Sequence, residues 1–176
     1  TKKNGILDNK IVFTVANKVI DILRSIPFII LMVLLIPLSR FIVGTGSGLQ
    51  GSFVALVFGT VPFFARQIES VLSDVDKGLI EAADAMGFSK HEIIFSVYLK
   101  ESIPGITRVT MITFVSFIGI TAIAGAIGAG GIGDFAVRYG YQMGYRDMIW
   151  LTVIVILIMI SIFQFIGNLI IKKTTH

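Results

Sequence analysis

An all-α integral membrane protein is the fold class this sequence predicts, and three observations carry the prediction. The composition is 55% hydrophobic and only 15% charged, with a mean hydropathy of +0.88. A soluble domain carries about 25% charged residues, so this chain lacks the polar surface to coat an aqueous core. The charges are also segregated, with long charge-free runs separated by polar intervals. Finally, the Lys and Arg residues concentrate in alternate intervals, as they do where loops alternate between two sides of a membrane.

The N-terminal 24 residues form a basic lead-in, with Lys2, Lys3, Lys10, Lys18 and Arg24 against Asp8 and Asp21. Ile11, Val15, Val19, Ile22 and Leu23 recur near helical spacing, which predicts an amphipathic helix running into the first span. Residues 25–39 carry no charge, and the extension through Val43 brings this run near the roughly 20 residues needed to cross hydrocarbon. Pro27 and Pro37, near its ends, each remove an amide donor and favour bends. Gly44, Gly46, Gly48 and Gly51 then predict a loop. A second span covers residues 52–65, contains Pro62 and is expected to continue to about Leu72.

The interval from Asp76 to Arg108 is the longest polar stretch between two apolar runs. Leu79, Ile80, Ala83 and Met86 recur at helical spacing, Gly87 interrupts, and Ile93, Ile94, Val97 and Tyr98 restart the pattern. Two short amphipathic helices joined at a glycine are expected. The third span starts at Val109 and is expected to end near Gly128, where small residues give way to clustered glycines. An aromatic-rich connection over residues 134–147 follows, with Tyr139, Tyr141 and Tyr145 suited to a headgroup boundary. The last span, residues 148–171, is stopped by Lys172 and Lys173. Four transmembrane helices are therefore visible, forming one domain over residues 25–171 before a tail at 172–176.

Orientation follows from charge. With the lead-in, the interval from Arg66 to Arg108 and the tail on one side, that side holds twelve of the fifteen basic residues, and only Arg40, Arg138 and Arg146 face the other. The rule that positive loops stay inside puts both ends and the helix pair in the cytoplasm. The net charge of +4 is thereby explained without a nucleic-acid partner. No cysteine is present and only His91 and His176 offer imidazole, so neither a disulfide framework nor a protein-ligated metal is expected.

Function becomes legible at residues 81–106. Glu81, Ala82 and Ala83, then Gly87, Leu99, Pro104 and Ile106, resemble the EAA loop of permease subunits in bacterial ATP-binding-cassette importers. RSIPFI from Arg24, IVGT from Ile42, GLIEAADAMG from Gly78 and GAGGIG from Gly128 make the likeness closest to methionine-importer permeases. This resemblance spans essentially the whole chain. It implies a five-helix permease fold whose first helix precedes the residues here, in keeping with a chain that begins without methionine. It also implies a multi-pass subunit of the bacterial inner or plasma membrane that pairs with a second copy of itself. Two cytoplasmic ATPase subunits and an extracellular or periplasmic solute-binding protein complete the assembly, and an amino acid, methionine or a related derivative, is the implied substrate. No cofactor is expected on this chain, because GAGGIG lacks the lysine of a phosphate loop. ATP and magnesium belong to the partner ATPase, so this chain is not itself an enzyme.

In the family the EAA region forms coupling helices seated in the ATPase. Glu81 matches its acidic residue, Ala82 and Ala83 its small positions, and Gly87 the dividing glycine. Lys100 stands where the commoner motif has proline after Leu99, so the second helix is expected to run on further. For the pathway, Ser116, Ile120, Thr121, Ile123 and Ile127 are the candidates, with the isoleucines as a narrowing and the hydroxyls as polar relief. Ordinary small-residue packing is an equal reading for each of these side chains. Three alternatives stand beside the methionine importer: an importer of another amino acid, an ion-driven transporter and a membrane scaffold. The charge-free spans weigh against the ion-driven reading, which calls for an intramembrane ion site.

Overall fold

The computed structural model describes residues 10–174, and these form helices joined by short turns, with no strand among them. Lys2 and Lys3 of the lead-in and the last two residues of the tail lie outside that range. In chain order the elements are α1 (Lys10–Ser25), α2 (Phe28–Leu34), α3 (Ile36–Val43), α4 (Gly48–Ser73), α5 (Lys77–Ala85) and α6 (Lys90–Glu92). A π-helical stretch, Ile93–Tyr98, joins α6 to α7 (Leu99–Ala124), and α8 (Gly131–Phe135) and α9 (Arg146–Thr174) follow.

Among the described residues, three helices are continuous, apolar and long enough to cross a bilayer: α4, the run Lys90–Ala129 built on α7, and α9. The first expected span, residues 25–43, is instead segmented. Pro27 adopts an extended conformation with ψ 135°, breaking α1 from α2, and Leu35, with ψ 0°, bends the chain where Pro37 opens α3. Both breaks sit beside prolines, whose missing N–H groups cannot continue the ladder. Gly48 and Gly51, expected in the loop, lie inside α4, so the turn is shorter than its glycine content suggests. Gly51 is needed for approach rather than for a turn, since a Cβ there would come within 2.5 Å of the Gly46 carbonyl carbon.

α7 is the central helix, packed on α4 to one side and on α9 to the other. Against α9, Phe114 stacks on Phe163 with ring centroids 3.7 Å apart, and Gly167 lets Met111 sit directly on its backbone. Against α4, Gly105 leaves room for Val71. Small residues therefore set the helix spacing, as expected where lipid supplies no hydrophobic drive for helices to associate. Leu56, Ala124 and Ala129 form the buried centre, with Phe28, Met32, Phe117 and Ile120 around it. Several hydroxyls within the helices are satisfied locally, Thr113 donating to the Val109 carbonyl at 2.8 Å and Thr152 to the Met148 carbonyl at 2.7 Å, whereas the buried Thr60 hydroxyl of α4 has no partner within the protomer. Little of α9 is buried, and Trp150, Ile154, Leu157, Ile158 and Phe165 face outward, as a lipid-facing helix requires.

The third span leaves the helix where the glycines begin. Ile127 (φ −105°, ψ 21°) and Gly128 (φ 100°) depart from helical angles, and Gly130 is also left-handed, turning the chain back so that α8 lies against the end of α7. Gly133 makes this fold-back fit: a Cβ there would collide with the Ala122 carbonyl. Gly133→Val is expected to lower stability by about 1–3 kcal/mol through overpacking. A clear fall in the detergent melting temperature checks this, with Gly119→Ala, which meets open space, as the near-neutral control.

Candidate coupling site

The helix pair at residues 77–98 is built from local signals. Asp76 caps α5, its Oδ1 accepting from the Gly78 amide at 2.8 Å. The helix ends in a Schellman arrangement: the Phe88 amide donates to the Ala83 carbonyl at 3.1 Å and the Gly87 amide to Asp84 at 2.9 Å. That geometry demands a left-handed residue, and Gly87 supplies it with φ 83°. The chain restarts at once. Ser89 and Glu92 form a reciprocal capping box, with the Ser89 amide donating to Glu92 Oε2 at 2.8 Å and the Glu92 amide to Ser89 Oγ at 3.4 Å. The Ser89 hydroxyl also donates to that carboxylate. The side-chain bond, then the backbone one, holds Glu92 below the usual carboxylate range at this water-exposed position.

Across the turn, α5 packs on the π-helical stretch, where Ala83 and Ile93 are both buried. Any side chain larger than alanine at 83 would push the two helices apart. The outer face is exposed: Glu81 and Ala82 stand beside Asp84, and Leu79, Met86, Phe88 and Phe95 add apolar surface. Of the expected coupling residues, Glu81, Ala82, Ala83 and Gly87 are therefore brought together at one turn. Leu99 and Pro104 lie further along, partly buried, on the helix that leads away. The second short helix has no end of its own. Its wide π-helical stretch passes directly into α7, and Pro104 sits inside α7 rather than at a bend between two helices. Lys100, which keeps its amide, leaves the backbone ladder intact at the point where a proline would have interrupted it.

The pathway candidates separate. Thr121 lines a cavity of about 210 Å³ with Leu49, Leu56, Ile118, Gly130 and Ile156, and its hydroxyl donates to the Ile118 carbonyl at 2.8 Å. Ile120 packs on the buried centre instead. Ser116 lies on a different groove, between α7 and α9, and Ile123 and Ile127 are exposed on the protomer surface. Within a single protomer these five residues do not line one passage.

The Ser89–Glu92 box, the outward placement of Met86 and the exposed Phe88 and Phe95 are not among the expectations drawn from the residues. The first was legible as serine followed three residues later by glutamate.

Residues 5–175 match the model of the family described as binding-protein-dependent transport system inner membrane component. The chain belongs to that family. It is accordingly an inner-membrane component with several membrane-length helices. It is 45% identical over 170 residues to the "Methionine import system permease protein MetP" of Bacillus subtilis, covering 97% of this chain and 77% of that protein. It is 40% identical to a protein of Vibrio cholerae named "Probable D-methionine transport system permease protein MetI", covering 100% of this chain and 78% of the other. Among solved structures, a chain from inward facing conformations of the MetNI methionine ABC transporter superimposes with a TM-score of 0.90. It is 38% identical and covers 100% of this family member and 82% of that chain.

Gly87→Val meets open space but forces a branched side chain into left-handed backbone. It is expected to destabilise the turn by about 1–2 kcal/mol. Ser89→Ala removes the cap, at about 1 kcal/mol. Both are read as faster amide hydrogen exchange over residues 77–98, with exchange in α9 unchanged.

Proposed function

We propose that this chain is the membrane-spanning permease subunit of an ATP-driven importer of methionine and related derivatives, acting as a pair of identical subunits. A separate cytoplasmic ATPase, using ATP and magnesium, docks on the turn formed by Glu81, Ala82, Ala83 and Gly87, and a solute-binding protein delivers the amino acid from the other side. One observation carries the coupling mechanism: the helix that forms half of the docking turn is the same helix that crosses the membrane, without a break from Lys90 to Ala124. A displacement imposed at Phe95 is transmitted along this continuous helix to the glycine turn at residues 125–131. The substrate class is supported by a likeness to methionine permeases that runs along 97–100% of this chain.

The docking chemistry suits a protein partner. Exposed Leu79, Met86, Phe88 and Phe95 offer apolar anchors, while Glu81 and Asp84 select a basic rim. Four acidic residues, Glu81, Asp84, Glu92 and Glu101, disfavour an anionic lipid surface in the same place. The exposed Ile123 and Ile127 suit an interface with the second subunit, so the passage is completed between two copies.

In proteoliposomes holding the permease and its ATPase, ATP-dependent methionine uptake is expected, and uptake by the permease alone is not. Glu81→Lys should leave the protein folded but cut ATPase association and coupled uptake about tenfold or more. Undiminished coupling in that variant rejects the docking assignment, and preferential uptake of an unrelated amino acid rejects the substrate assignment.

A further inference from the structure

Between α7 and α9 runs an open groove of about 380 Å³ lined by Arg108, Met111, Ile112, Val115, Ser116, Gln164 and Asn168. The coupling turn makes no use of it. Its chemistry is graded along the membrane normal. Arg108 immediately precedes the charge-free run of α7, and Asn168 lies one helical turn, about 6 Å, before Lys172 on α9. Gln164 sits one turn deeper than Asn168 on the same face. Beyond these the groove wall is Met111, Ile112 and Val115, with Ser116 at its inner end. Arg108, Gln164 and Asn168 are all exposed on the protomer, and within the charge-free runs of the two helices the other outward residues are almost entirely apolar.

A guanidinium and two amides at this level are costly against plain hydrocarbon and are retained where a polar group meets them. A groove with cationic and amide donors at the water boundary and an apolar wall toward the bilayer centre matches an amphiphile standing upright in the leaflet. Arg108 supplies the fork geometry for a phosphate, and Lys172 and Lys173 close to its level add positive charge. Gln164 and Asn168 provide amide N–H donors for the phosphate and glycerol ester oxygens, while Ile112 and Val115 contact an acyl chain. We propose that this groove binds one anionic phospholipid of the leaflet on the positively charged, cytoplasmic side. Nothing in this assignment depends on which amino acid is transported.

The test uses the intact protein, purified with bound lipid and titrated with phosphatidylglycerol or phosphatidylcholine, with retained lipid counted by native mass spectrometry. Wild type should retain phosphatidylglycerol in preference to phosphatidylcholine. Arg108→Gln should weaken that retention about tenfold, the Gln164→Leu, Asn168→Leu pair should weaken it several-fold, and Arg138→Gln, on the far side of the membrane, should not change it. Arg108→Lys, which keeps the charge and guards against a variant that fails to fold, should fall between wild type and Arg108→Gln. Unchanged retention in both Arg108 variants overturns the proposal, as does displacement of the lipid by millimolar inorganic phosphate. The chain has no cysteine, so Asn168→Cys is a unique thiol. In phosphatidylglycerol vesicles it should resist a water-soluble thiol reagent and form no disulfide with a second copy. Rapid labelling would make the groove aqueous passage, and cross-linking would make it a subunit interface.

Discussion

Every backbone amide and carbonyl that enters hydrocarbon must find its partner inside the protein, and the arrangement of this chain follows from that requirement. It explains why the charge-free runs are helical, why serine and threonine hydroxyls within them donate to carbonyls one turn back, and why the chain leaves the helix at the glycines. It also ranks the elements. α7 contacts both of its long neighbours and carries its backbone ladder from the aqueous helix pair to the far turn, so α4 and α9 are placed by what α7 offers them. The contacts are small: Gly105 of α7 opposite Val71 of α4, Met111 of α7 opposite Gly167 of α9, and one stacked aromatic pair.

Charge plays a second, local part. Arg66 reaches back to Asn17 and Asp21 on α1 and forward to Glu69 on its own helix, tying the lead-in to the end of α4 where it emerges from the apolar zone. Such exposed pairs add little stability individually. Their value is positional, because α1 is amphipathic and the ion pairs choose which of its faces meets α4. Arg24 lies over the Phe63 ring at 6.0 Å and acts in the same sense, fixing the start of the segmented helix against the middle of α4.

Much of this was legible in the residues. The three continuous spans follow from runs of apolar sequence, the dividing role of Gly87 from its place between two periodic segments, and the end of the third span near Gly128 from the change to clustered glycines. The first span was not, because Pro27 and Pro37 announce a bend without stating its size, and whether Leu35 continues or interrupts a helix depends on its neighbours. Gly48 and Gly51 read as loop residues since glycine serves equally for turns and for close approach. The pathway residues were the least legible. Helical spacing tells which side chains share a face, but not whether that face meets a cavity, the buried centre or another subunit, and Ile120, Thr121 and Ile123 went to three different surroundings.

Lys100 has a mechanical consequence. With no proline at that position, the segment ahead of the bilayer stays continuous with the buried part of α7 and can act as a lever arm. From Lys90 to Pro104 it extends about 21 Å, so a tilt of only about 10° in the buried part sweeps the outer end by roughly 4 Å. The leverage works in reverse as well, converting a broad stroke at the water-exposed end into a small, forceful adjustment among tightly fitted glycines. Pivoting where Pro104 sits inside α7, the arm trades distance for force.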